Sequence, residues 1–137
     1  MSREVFIDAS AWIAVSDMRD KYHSSAKAAY KRLVGDRRIL ITSNLVVAEA
    51  YIIIRRTGGH AQAMRFLQSL RGSARLMKVY SDAELESIAE ELLEKYMDHD
   101  FSFADAVSFA VMQTRGIKAA FTFDRHFATM DFQMLPT

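Results

Sequence analysis

Four carboxylates stand out in this chain of 137 residues: Asp8, Glu49, Asp105 and Asp124. Asp8 halts the apolar start of FIDASAW, and Asp124 follows the apolar part of AFTFDRHF. Asp105 lies in SFADAVSFA, and Glu49 interrupts LVVAEAYIII. On a helix, Glu49 has Leu45, Ile52 and Ile53 as its i−4, i+3 and i+4 neighbours, so it points along an apolar face. The nearest bases, Arg55 and Arg56, are six and seven positions away and not on that face. A buried carboxylate must be protonated, paired or bound to metal. Several carboxylates converging on one spot repel one another, and a divalent cation offsets that repulsion. Oxygen-only ligand sets suit hard cations such as Mg²⁺ or Mn²⁺ rather than zinc. Such ions bind phosphate oxygens, activate water and stabilise the leaving oxygen in phosphodiester cleavage.

Each of the four acids has a structural alternative; for Glu49 it is an arginine or a backbone amide that satisfies the carboxylate. Asp8 can cap a helix starting at Ala9, and Asp124 can cap a turn over residues 125–129. Ser102 and Asp105 have the spacing of a capping box. Taken singly, each capping role stands level with a ligand role. Only Glu49 favours chemistry on its own, and the conjunction of all four outweighs the parts.

The elements that must position these groups follow from periodicity. Residues 5–7, 39–41, 75–80, 119–122 and 132–135 read as short apolar strands. Helical spacing covers residues 9–15 and 21–34, the latter ended by Gly35. Ser43 is the expected N-cap of a helix over 44–56 that stops at Gly58-Gly59, and a further helix covers 60–70. From Asp82 onward Leu85, Ile88, Ala89, Leu92, Leu93, Tyr96 and Met97 form one apolar stripe. A helix over 102–114 ends at Gly116, and residues 124–130 form a helical turn. Short apolar strands alternating with helices predict an α/β fold on a parallel sheet. In such sheets ligands bind at the carboxyl ends of the strands, where Asp8 and Asp124 fall.

The length predicts a single domain over residues 1–137. Residues 1–80 carry 14 Lys/Arg against 6 Asp/Glu, a net +8, whereas residues 81–137 carry 4 against 11, a net −7. Such a split can set a polyanion-binding face beside an acidic one; taken singly, most of these charges read as solvated helix surface. With no cysteine, thiolate zinc sites, disulfides and cysteine nucleophiles are excluded, which fits a cytoplasmic location. No basic start precedes a long apolar stretch, so no signal peptide is expected. The longest apolar run, residues 45–54, is too short to span a bilayer and contains Glu49.

These four blocks, in this order and spacing, resemble the PIN domain family, and within it the VapC-type toxin ribonucleases. DKYHSSA also resembles the family's stretch after its first helix, and the resemblance runs over residues 5–135. It implies a PIN-like three-layer α/β/α sandwich with a central, mainly parallel five-stranded sheet. It implies a Mg²⁺- or Mn²⁺-dependent endoribonuclease with Asp8, Glu49, Asp105 and Asp124 as the acidic quartet. By position, Ser10 matches the polar residue after the first acid and Thr122 the threonine before the last. Both would position water, metal ligands or the scissile phosphate. In-line attack of water on phosphorus would leave a 5′-phosphate and a 3′-hydroxyl. The family implies a homodimer, and its VapC-type members pair with a small antitoxin protein that blocks the site.

Alternatives differ in biology or chemistry. A solitary PIN nuclease for RNA processing would need no antitoxin, and an RNA-binding module of the same fold would not cut. An aspartyl-phosphate phosphatase requires D-x-D after the first strand, and Ser10 stands at the second position. His23, His60, His99 and His126 show no metal-ligand spacing, so packing or surface roles are expected of them. Trp12 and Phe103 read as core or interface anchors, the methionines as core filler, and Arg125 as one half of a surface salt bridge ahead of a contact to substrate phosphate.

Overall fold

Five of the apolar runs become strands. In the computed structural model, which describes residues 3–137, they are β1 (Glu4–Ile7), β2 (Ile39–Ser43), β3 (Leu76–Val79), β4 (Ala119–Phe121) and β5 (Gln133–Leu135). Their order across the sheet is β3-β2-β1-β4-β5, and every neighbouring pair is parallel. The sheet is thus wholly parallel where the resemblance implied a mainly parallel one. β1 lies at the centre, with Val5 beside Leu40 on one side and Ala119 on the other. Val5, Phe6 and Ile7 are fully buried, because a strand covered on both faces must be apolar throughout rather than alternating.

The helices are α1 (Ala9–Ser16), α2 (His23–Gly35), α3 (Asn44–Arg71), α4 (Ala83–Lys95), α5 (Phe103–Arg115) and α6 (His126–Thr129). From β1 to β3 the chain steps outward through α1, α2 and α3. It then crosses back over β1 to β4 through α4 and α5. Right-handed connections running in opposite directions place their helices on opposite faces. Accordingly α1 packs on α2 and α3, while α4 packs on α5. The result is a three-layer sandwich in which the +8 half of the sequence supplies one helical layer and the −7 half the other.

Within α3 the two helices expected over 44–56 and 60–70 are both present, divided where the backbone leaves helical geometry. The expected stop survives as a kink at Gly59, whose φ of 88° a side chain would strain. Gly116 ends α5 in the left-handed region, where its amide reaches the Met112 and Gln113 carbonyls. Trp12 is a core anchor, donating from Nε1 to Thr42 Oγ1 at 3.2 Å, while Thr42 donates to the Ile7 carbonyl. Phe103 is exposed, so the core role does not hold for it. The methionines divide: Met112 and Met130 fill core, but Met18 and Met97 lie beyond the ends of α1 and α4 and are exposed.

Ser43 caps α3 as expected, accepting from the Val46 amide at 3.1 Å. Ser43→Ala leaves that amide without its partner and should lower stability by about 1 kcal/mol. Urea unfolding would show the loss as a lower midpoint at unchanged slope.

Candidate active site

The chain leaves β1 toward one helical layer and enters β4 from the other. Between these adjacent strands the sheet opens a crevice at their carboxyl ends. Asp8 is the first residue past β1, and its amide donates to the Phe121 carbonyl at 3.1 Å. Thr122 is the first residue past β4. The two ends are therefore stitched together, and their side chains meet.

Asp8 is 4 % exposed. Its Oδ2 accepts the Ser10 hydroxyl and the Thr122 hydroxyl, each at 2.9 Å. The hydroxyl oxygens accept in turn from the amides of Phe123 and Asp124, both at 3.0 Å. The two hydroxyl oxygens also lie 3.2 Å from each other, so Ser10, Thr122 and Asp8 form one hydrogen-bonded network. The N-cap backbone of α1 belongs to Asp8, but its side chain makes no capping bond. The carboxylate is thus free of the structural duty that the sequence left open.

Asp105 does make the capping box with Ser102, and it also faces the crevice. Its Oδ2 lies 3.4 Å from His126 Nδ1, and Asp124 Oδ1 lies 3.4 Å from the same nitrogen. Asp124 accepts from the His126 amide at 2.9 Å, so it caps its turn as well. Ligand atoms of Asp105, Asp124 and His126 lie within 4.8 Å of one another. Glu49 approaches from α3, half-buried, with no hydrogen bond or ion pair among the described residues.

The electrostatics bind the four acids into one unit. Burial pushes Asp8 up from 3.8 to about 6, with the Asp105 charge adding to it and the two hydroxyls opposing it. Burial also raises Asp105, and the Asp124 charge adds to this while the Ser102 amide and His126 oppose it. For Glu49 burial comes first, followed by the charges of Asp8, Asp105 and Asp124. Among the described residues no Lys or Arg pairs with any of the four.

Of the six expected residues, Asp105 and Asp124 share a cluster of ligand atoms with His126, Ser10 and Thr122 hold Asp8, and the charges of Asp8, Asp105 and Asp124 reach Glu49, while the Asp8 and Glu49 oxygens lie outside that cluster. His126 is the member that sequence reasoning missed. Its signal was local: a histidine two residues after the last acid, at the start of a short helix. His23 keeps a packing role, with Nδ1 2.8 Å from the Ala14 carbonyl. Arg125 is exposed and has no acidic partner among the described residues, so the expected salt bridge is not formed.

Comparison with known proteins places these residues in a lineage. A family model described as "PIN domain" matches residues 5–133. The 23S rRNA-specific endonuclease VapC20 of Mycobacterium tuberculosis, from strain H37Rv and from strain CDC 1551, is 33 % identical over 128 residues. The match covers 93 % of this chain and 95 % of the relative. The crystal structure of that VapC20, titled a sarcin-ricin loop cleaving toxin, superposes with a TM-score of 0.85 at 32 % identity. It spans 93 % of this chain and 95 % of the neighbour.

Proposed function

This chain belongs to the PIN-domain family, and on that premise we propose that it is a metal-dependent endoribonuclease, the toxin of a VapBC-type pair. One observation carries the reading: four carboxylates lie close enough to act on one another's charge, three have raised affinity for protons, and among the described residues no Lys or Arg pairs with any of them. An assembly that disfavours its own charge is one that a cation would complete.

The donor set fits a hard divalent cation. Ligand atoms of Asp105, Asp124 and His126 lie within 4.8 Å of one another, Asp8 and Glu49 would add two further carboxylates, and no thiolate competes. Mg²⁺ or Mn²⁺ held there supplies Lewis acidity toward a phosphate oxygen and a more acidic water. The chain's residues do the rest. Ser10 and Thr122 fix the Asp8 rotamer by hydrogen bonds to its Oδ2. His126 bridges Asp105 and Asp124, holding the two carboxylates at a set separation. Arg125 is placed to meet a backbone phosphate beside them, and the α1–α3 layer supplies the wider basic field.

The name of the similar VapC20 suggests 23S rRNA as the substrate of this chain too. A small antitoxin, a homodimer and a cytoplasmic site of action complete the proposal. No helix among the described residues is long and apolar enough to cross a membrane. The test is to incubate purified protein with total cellular RNA and Mg²⁺ or Mn²⁺, then map new 5′ ends. One dominant cut in 23S rRNA is expected, absent with chelator. Cleavage confined to other RNAs would remove the substrate, and no metal-dependent cleavage of any RNA would remove the function.

A further inference from the structure

Beside the acid crevice lies a pair of rings that the metal chemistry does not use. Tyr22 and Phe123 stack with centroids 4.5 Å apart and planes 5° from parallel. Phe123 lies between Thr122 and Asp124 in the chain, and its amide donates to Ser10 Oγ. The stack is therefore rooted one residue from two groups of the crevice. Tyr22 is held by its backbone: its amide donates to Asp20 Oδ1 at 2.8 Å, and its carbonyl accepts from Ala26. Yet Tyr22 is 40 % exposed, because Phe123 covers only one face of the ring. The Lys21 ammonium lies 5.0 Å from the ring centroid.

We propose that Tyr22, backed by Phe123, is a stacking platform for a nucleobase next to the scissile phosphate, with Lys21 available to a neighbouring phosphate. This rests on the endoribonuclease reading above. Single-stranded RNA is gripped by two kinds of contact, bases on aromatic faces and phosphates on cations. The flat ring of Tyr22 is already oriented, so stacking costs little ordering. Lys21 is a flexible chain that can swing from the ring to a phosphate as a base arrives. The platform makes Tyr22 a positioning residue: it fixes where the backbone crosses the acids and performs no bond-making itself.

The experiment uses full-length protein carrying Asp8→Asn, so that RNA binds without being cut. A short single-stranded RNA spanning the mapped cleavage site is titrated and followed by fluorescence anisotropy. Adding Tyr22→Leu should weaken binding about tenfold, whereas Tyr22→Phe should stay within about twofold. A Tyr22→Trp variant should lose indole emission as RNA binds, beyond any change from buried Trp12. In the Asp8-containing enzyme, Tyr22→Leu should raise KM more than it lowers kcat. Unchanged affinity with Tyr22→Leu, or unquenched emission with Tyr22→Trp, would overturn the platform. If Tyr22→Leu weakens the fold, the Tyr22→Trp emission alone decides. Failure of the nuclease reading looks different: wild-type protein then cuts no RNA, or Asp8→Asn cuts as well as wild type.

Discussion

Asp8→Asn lowers metal-dependent RNA cleavage at least about a hundredfold while the protein keeps its fold. Changing a group that merely orients a metal ligand typically costs 10- to 100-fold, so losing a ligand charge costs that much or more. The fold survives because asparagine keeps the shape and one acceptor oxygen. That oxygen can still take the Ser10 or the Thr122 proton, and no capping bond is lost because the Asp8 side chain makes none. Removing a buried charge also removes a cost, so the variant should melt at or above the wild-type temperature at neutral pH without metal. Asp105→Asn should lose activity to a similar degree but gain less stability, since Asp105 Oδ2 also accepts from the Ser102 amide. The assay is cleavage of a defined RNA with Mg²⁺ or Mn²⁺, run beside thermal melts of each protein. Near-wild-type cleavage by a folded Asp8→Asn protein would sink the site assignment.

The acids themselves were legible because burial leaves a mark in sequence. Glu49 within LVVAEAYIII has no same-face base, and the structure gives it none. The alternation of strands and helices gave the sheet, because a central parallel strand such as β1 must be apolar on both faces. What local patterns could not rank were the capping roles. Asp105 and Asp124 make capping bonds and also fall in one cluster of ligand atoms, and Asp8 is a cap by backbone only. That distinction depends on where Oδ atoms point, which spacing does not encode. His126 escaped for a related reason: its partners are 21 residues and two residues away, on different elements, and no ligand spacing announces such a meeting. The break at Gly58-Gly59 was legible because a φ of 88° needs a glycine, and Gly59 divides the two helices within α3 there. The charge asymmetry proved topological. The boundary near residue 80 is where the chain leaves one helical layer for the other, so sequence halves become molecular faces.

Without metal, stability should fall as pH rises from about 4 to 7, and a divalent cation should reverse the fall. Asp8 has a pKa of about 6 in the folded protein against an ordinary 3.8. Below the lower value both states are protonated and Asp8 has no effect. Between the two, the folded state holds more protons than the unfolded one, so stability declines with rising pH. Above about 6 the cost is complete, on the order of 3 kcal/mol from Asp8 alone. Asp105 and Glu49, both raised, act with the same sign. Asp17, lowered by the Arg19 amide and side chain, has its effect below about pH 4, beneath this range, and leaves the decline to the three raised acids. A cation binds the deprotonated site of the folded state, so its stabilisation grows over this same range. Glu49→Gln separates the site's contribution from general acid effects. It removes a charge that raises no hydrogen-bond debt, since Glu49 makes no bond among the described residues. The variant should therefore show a shallower metal-free decline, a smaller gain from Mn²⁺ and a large loss of cleavage. Melting temperatures of both proteins from pH 4.5 to 7.5, with chelator and with Mn²⁺, provide the comparison. A sharp fall in metal-free melting temperature for Glu49→Gln would mean that Glu49 is paired and structural, and the four-acid site would shrink to three.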